Sequence, residues 1–220
     1  MSIATVSEQF FEAHCSSRRI RFRRLPEGTS RQPDYELLLC PGSVIAEVKQ
    51  IDPNETDLSP EVLRQCQEQG YGLAPVDRVR GLIDSGYPQL KPYAQRGFPC
   101  ILIAYNNAGL VNYIDEHTVT KAMFGPLFLH FQFGPSDGVR WTGTGFGGGR
   151  KVTRNTCRSL SALCVLETGS PGVSRLHVYH NPYADVPANP TQLASVADFQ
   201  YVYDDPHQNR SLFGPRLLEV

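Results

Sequence analysis

Three side chains in the first quarter of the chain have the types and spacing for metal-assisted phosphate chemistry: Asp34, Glu47 and Lys49. A β-strand turns successive side chains to opposite faces, so Glu47 and Lys49 point the same way. Their neighbours Val44, Ile45, Ala46 and Val48 suit a buried strand. An acid and a lysine on one face of such a strand are costly unless they perform a task. Asp34 follows Pro33 and precedes the apolar Leu37-Leu38-Leu39, at the start of the strand before. The hairpin Cys40-Pro41-Gly42-Ser43 can bring Asp34 beside Glu47. Two carboxylates and one ammonium then converge where a hard divalent cation and a phosphate could sit.

The elements that must position these groups are legible around them. Ile3 to His14 reads as a helix with Ile3, Val6, Phe10 and Ala13 on its apolar face and Glu8 and Glu12 one turn apart. Asp52 to Gly72 reads as a loop and a short helix, with Ser59 as N-cap before Pro60. Val76 to Arg96 reads as helical with a break near Pro88, leading into the continuous apolar strand Cys100 to Tyr105. The expected fold class is α/β, a central mixed sheet flanked by helices.

Pro33-Asp34 with Glu47-Val48-Lys49 resembles the PD-(D/E)xK nuclease superfamily, and the order helix, strand, strand, helix, strand resembles its restriction-endonuclease-like core. The resemblance covers roughly Glu8 to Asn106. It implies that Asp34 and Glu47 hold Mg²⁺, with Mn²⁺ able to substitute, and that Lys49 assists the attacking water. It further implies a metal-binding or metal-orienting role for Glu12 on the preceding helix. Gln50 matches a polar extension seen in several branches. Nucleic acid is then the expected partner, DNA in preference to RNA. Two rivals stay open: a nuclease-fold binding or scaffolding protein without catalysis, and an α/β domain in which the triplet is coincidental.

Arg18 to Arg24 places five arginines in seven residues beside this site. If the run is extended, Ile20 and Phe22 face inward and Arg19, Arg21 and Arg23 outward, toward nucleic-acid phosphates. A charged, solvated edge strand is the alternative. Net charge is −1 over 220 residues, which argues against coating nucleic acid by bulk charge. A single domain is expected, with a core over about 1–135 and a β-rich elaboration over about 136–220. The six cysteines show no C-x-x-C pair and are expected as free thiols of a reducing cytoplasm. No membrane span or signal peptide is expected, and the oligomeric state is left open. Leu127 to Phe133 alternates as a half-buried strand would. Ser159 to Glu167, Leu176 to Tyr179 and Phe199 to Tyr203 are further strands. The glycine-rich Thr142 to Lys151 is expected as a mobile loop, because it lacks the ending of a P-loop.

Overall fold

A computed structural model describes residues 4–26, 31–57, 59–69, 72, 74–108, 113–134, 138–169, 173–203 and 216–218. In chain order the elements are α1 (Val6–Ser17), β1 (Phe22–Arg24), β2 (Tyr35–Leu38), β3 (Ser43–Ile51), α2 (Pro60–Gln69), α3 (Val76–Ala94), β4 (Cys100–Asn106), α4 (Glu116–Phe124), β5 (Leu127–Gly134), β6 (Gly138–Phe146), β7 (Ala162–Thr168), β8 (Ser174–His180), α5 (Pro190–Leu193), β9 (Phe199–Val202) and β10 (Arg216–Leu218). Eight strands form one mixed sheet in the order β1-β2-β3-β4-β7-β8-β9-β10, and β5 with β6 makes a separate two-stranded ribbon. β3, β4 and β7 run parallel at its centre. The fold is therefore α/β, with helices on both faces of a mixed sheet.

Buried parallel strands must be apolar on both faces, and here the two faces serve two cores. Ile45, Leu102, Ala104 and Val165 pack with Val79, Ile83 and Leu90 of α3 and with Val119, Ala122 and Met123 of α4. Val44, Ala46, Val48, Ile101 and Ile103 pack on the other side with Phe11 and Cys15 of α1. Strands beyond residue 135 join the same sheet: β7 lies against β4, and β8, β9 and β10 follow it. Such long-range pairing leaves no mark in local periodicity.

Several local expectations need correction. α1 buries Ser7, Phe11, His14 and Cys15, whereas Val6 and Phe10 are substantially exposed, so the helix is rotated about one residue from the expected phase. The burial of Phe11 edge-on against Tyr35, ring centroids 5.3 Å apart, selects this phase. α3 runs unbroken through Pro88 and Pro92. Pro88 stands on the exposed side of that helix, where a missing backbone donor does not weaken the buried face. β5 is a strand, but it is exposed along nearly its whole length rather than half-buried. The glycine-rich stretch is no free loop. Its first half is β6, and beyond it Gly147 N–H donates to Pro126 and Lys151 and Val152 N–H both donate to Met123.

The ribbon leaves the body at Gly125, the C-cap of α4, with φ +85°. A Cβ there would lie 2.9 Å from the Gly147 carbonyl oxygen and 3.1 Å from that of Gly148. Both the backbone conformation and the space require glycine. Gly125→Ala is expected to destabilise the protein by on the order of 2 kcal/mol, measured as a drop in the denaturant midpoint at unchanged slope.

Candidate active site

β2 pairs with β3 antiparallel, Tyr35 opposite Ala46. Continuing that register by one residue sets Asp34 opposite Glu47. Asp34 Oδ2 accepts a 2.7 Å hydrogen bond from Val48 N–H, which clamps the aspartate against β3 beyond the last ladder pair. Glu47 is completely buried, on the face covered by α3. Gly86 of α3 allows the close approach: a Cβ there would lie 2.6 Å from Leu102 Cδ1 and 3.5 Å from Glu47 Cγ.

Glu47 Oε1 is held twice, by Lys49 Nζ at 2.5 Å and by the Gln89 side-chain amide of α3. Its other oxygen, Oε2, is buried and receives no donor, while the Asp34 carboxyl lies close enough to share a proton with Glu47. Burial, and then the Asp34 charge, push the Glu47 carboxyl up to about 7, against the pull of Lys49. Burial also raises Asp34, opposed by the Val48 amide and by Lys49. Both carboxyls therefore hold protons more tightly than free carboxyls do. What they lack is positive charge.

That deficit fits a divalent cation. The donors are hard oxygens, one of which receives no donor, and Lys49 beside them is 30% exposed. Among the described residues no group of three or more His, Cys, Asp or Glu side chains could hold a metal by itself. A cation here would complete its shell with main-chain oxygen, water and substrate phosphate.

Two expected members fall elsewhere. Gln50 takes the opposite strand parity, accepts from Ser7 N–H at 3.3 Å and donates to Asp52, on the α1 side of the sheet. Glu12 is engaged by Arg24 Nε at 2.6 Å and by the Tyr35 hydroxyl at 3.1 Å. The α1 glutamate whose charge is felt at Asp34 is Glu8, one turn earlier. Gln89 is a further site residue. Nothing local in the sequence marks which of the polar groups of α3 turns inward.

The arginine run is broken by the end of α1 and is not one extended strand. Arg19 N–H donates to Ser16 and Ile20 N–H to Cys15, with Arg19 at φ +58°, a left-handed helix terminus occupied by a non-glycine. Ile20 and Phe22 do face the core, and Arg19, Arg21 and Arg23 face solvent. Arg23 pairs with Glu36 across β1 and β2, Arg24 with Glu12, and Arg18 with Asp198. Arg19 and Arg21 form no ion pair among the described residues, so they are the cations left for an outside anion.

No protein-family model matches the chain, nor does any curated protein or solved structure. The chemistry rests on the site's own geometry.

The raised Glu47 pKa has a definite consequence for stability. The folded protein keeps this proton up to about pH 7, whereas an ordinary glutamate releases it near 4.5. Between those values the unfolded chain binds fewer protons, so stability falls as pH rises through the window and levels off above it. Asp34 acts in the same direction. In chelator-containing buffer the loss should be on the order of 3 kcal/mol, and Glu47→Gln should remove most of it. An equal pH slope in parent and Glu47→Gln would show that Glu47 is not the group responsible.

Proposed function

We propose that this protein is a metal-dependent nuclease, hydrolysing phosphodiester bonds of nucleic acid, DNA in preference to RNA, on a restriction-endonuclease-like core. One observation carries the reading: a completely buried glutamate with an oxygen that receives no donor, set opposite an aspartate and capped by a lysine on the same strand face. The order α1-β1-β2-β3-α2-α3-β4 supports the core, with α2 inserted after β3, β1, β2 and β3 antiparallel neighbours and β4 parallel to β3.

Asp34 and Glu47 would hold Mg²⁺, or Mn²⁺ in its place. When bound, the ion supplies Lewis acidity toward the phosphate and lowers the pKa of a water. The protein's own groups do the rest. The Val48 amide fixes the Asp34 oxygen it binds, and Gln89 fixes Glu47 Oε1, leaving Oε2 free to serve as a ligand. Lys49, partly exposed beside the pair, can orient a water or, as the neutral amine, deprotonate it, and as the ammonium offset charge developing on the phosphate. Exposed Arg19 and Arg21 contribute electrostatic attraction for the phosphate backbone.

A second reading, a nuclease-fold binding protein without turnover, is favoured by one contact. Lys49 neutralises Glu47 directly, and a lapsed site could keep that pair.

A cleavage panel of single- and double-stranded DNA and RNA, with Mg²⁺ or Mn²⁺, separates the two. The nuclease reading expects metal-dependent turnover that Lys49→Ala lowers by a factor on the order of 10² or more, with cation binding retained. Glu47→Ala should abolish cation binding. A parent protein that binds nucleic acid yet cleaves nothing on the panel establishes the scaffold reading. Lys49→Ala cleaving at the parental rate would disprove the proposed role of the lysine.

Phosphate contact by the arginines is tested separately. Arg19→Gln with Arg21→Gln should weaken nucleic-acid binding and flatten the salt dependence, by about one unit of slope per lost phosphate contact. Arg23→Gln should do less, because Glu36 already pairs with that side chain.

A further inference from the structure

The α1 face of the sheet, opposite the face that carries Glu47, holds a group of side chains that metal-dependent hydrolysis does not use. His14 of α1 is buried, only 1% exposed. Its ring bridges two oxygens: Nδ1 lies 2.8 Å from Ser174 Oγ, and Nε2 lies 2.8 Å from the Val196 carbonyl oxygen. A carbonyl oxygen accepts and cannot donate, so Nε2 carries the ring proton of the neutral imidazole. Nδ1 is then a bare lone pair, and the Ser174 hydroxyl donates to it.

We propose that Ser174 is a nucleophilic serine, with His14 as its general base and the Val196 carbonyl as the group that orients the ring, suited to acyl transfer from a neutral carboxylic ester. The proposal is independent of the nuclease reading.

Three observations separate a reactive pair from a structural link. The hydroxyls of Ser17, Ser85 and Ser161 donate to main-chain carbonyls, and that of Ser7 meets the Thr5 hydroxyl. Ser174 donates instead to an imidazole nitrogen, a far stronger base. Exposure divides the pair in the sense that catalysis requires. The base is buried, whereas Ser174, the first residue of β8, is partly exposed at the end of the β7–β8 hairpin. The orienting carbonyl is also fixed. Val196 and Ala197 N–H both donate to the Leu193 carbonyl, Asp198 N–H donates to the Leu176 carbonyl, and Leu176 N–H donates to Asp198 Oδ2 at 2.7 Å. Those last bonds tie the Val196 segment to β8 two residues from Ser174.

Burial lowers the pKa of His14 below the ordinary 6.5, so the base form is present at neutral pH. Of the charged groups that face the ring, Arg18 adds to this shift and Asp198 opposes it. Asp198 and the Val196 carbonyl therefore favour the imidazolium as it forms. In the acyl transfer, Ser174 Oγ bonds to the ester carbonyl carbon as its proton passes to His14 Nδ1. The carbon–oxygen bond to the leaving alkoxide then breaks, and the alkoxide takes that proton, giving an acyl-serine and an alcohol. A neutral ester suits the site better than a phosphate anion, because Arg18 is already paired with Asp198 and donates to the Ala197 carbonyl.

The test treats the full chain, in chelator, with p-nitrophenyl acetate and separately with a fluorophosphonate probe. The acetate should give a burst of one p-nitrophenolate per chain, and the probe should place one label on the peptide that contains Ser174. Both should be absent in Ser174→Ala. The labelling rate should follow a single ionisation below pH 6.5 and stay level above it. His14→Gln, checked for folding by circular dichroism, should slow labelling by a factor on the order of 10² or more. If that variant does not fold, the pH profile decides. No label at Ser174 overturns the proposal, as does a rate that climbs with hydroxide without levelling, or an equal rate in folded His14→Gln. Labelling that requires a divalent cation would also overturn it and assign the reaction to the Asp34–Glu47 site.

Discussion

A carboxylate with no exposure to water, placed beside a second carboxylate, is the constraint around which this fold is arranged. Moving Glu47 from water to a dry sheet face costs several kcal/mol, and Asp34 adds like-charge repulsion. The protein offsets part of this through Lys49 and Gln89 on one oxygen and leaves the other without a donor. A core selected for stability alone would place a leucine there. Keeping the glutamate makes sense if the missing charge arrives with a ligand.

The rest of the architecture holds that pair in place. α3 covers this face of β3 and β4, and Gly86 lets the helix come close. β2 begins only at Tyr35, and the bond from Val48 N–H to Asp34 extends its hold on β3 beyond the last ladder pair. Lys49 is 30% exposed, so the ion pair it makes with buried Glu47 reaches the surface at its nitrogen end.

Much of this was legible in the sequence, for identifiable reasons. The period of two put Glu47 and Lys49 on one face, and a short turn fixed the register that brings Asp34 opposite. The same period places Gln50 on the far face, so expecting it in the site followed the family pattern against strand parity. Glu12 and Glu8 share a helix face, and the packing of Phe11 on Tyr35 and the pull of Arg24 set which of them lies toward Asp34. Five arginines in seven residues conceal a helix terminus at Arg19, because its left-handed backbone is set by hydrogen bonds to Ser16 and Cys15 rather than by residue type. The alternation of β5 correctly gave a strand. It could not show that the strand projects from the body, since periodicity reports a face and not what covers it. For the described residues, no helix is long and apolar enough to cross a membrane.

The central claim is that Asp34 and Glu47 await a divalent cation, and calorimetric titration of Mn²⁺ near pH 7 tests it most directly. With the Glu47 carboxyl raised to about 7, a fraction of the molecules carry a proton that the cation must displace. Heats measured in buffers of different ionisation enthalpy should therefore reveal one binding site with release of up to one proton, diminishing toward pH 8.5 and absent in Glu47→Gln. Absence of saturable binding in the parent, or binding equally tight in Glu47→Gln, would contradict the account.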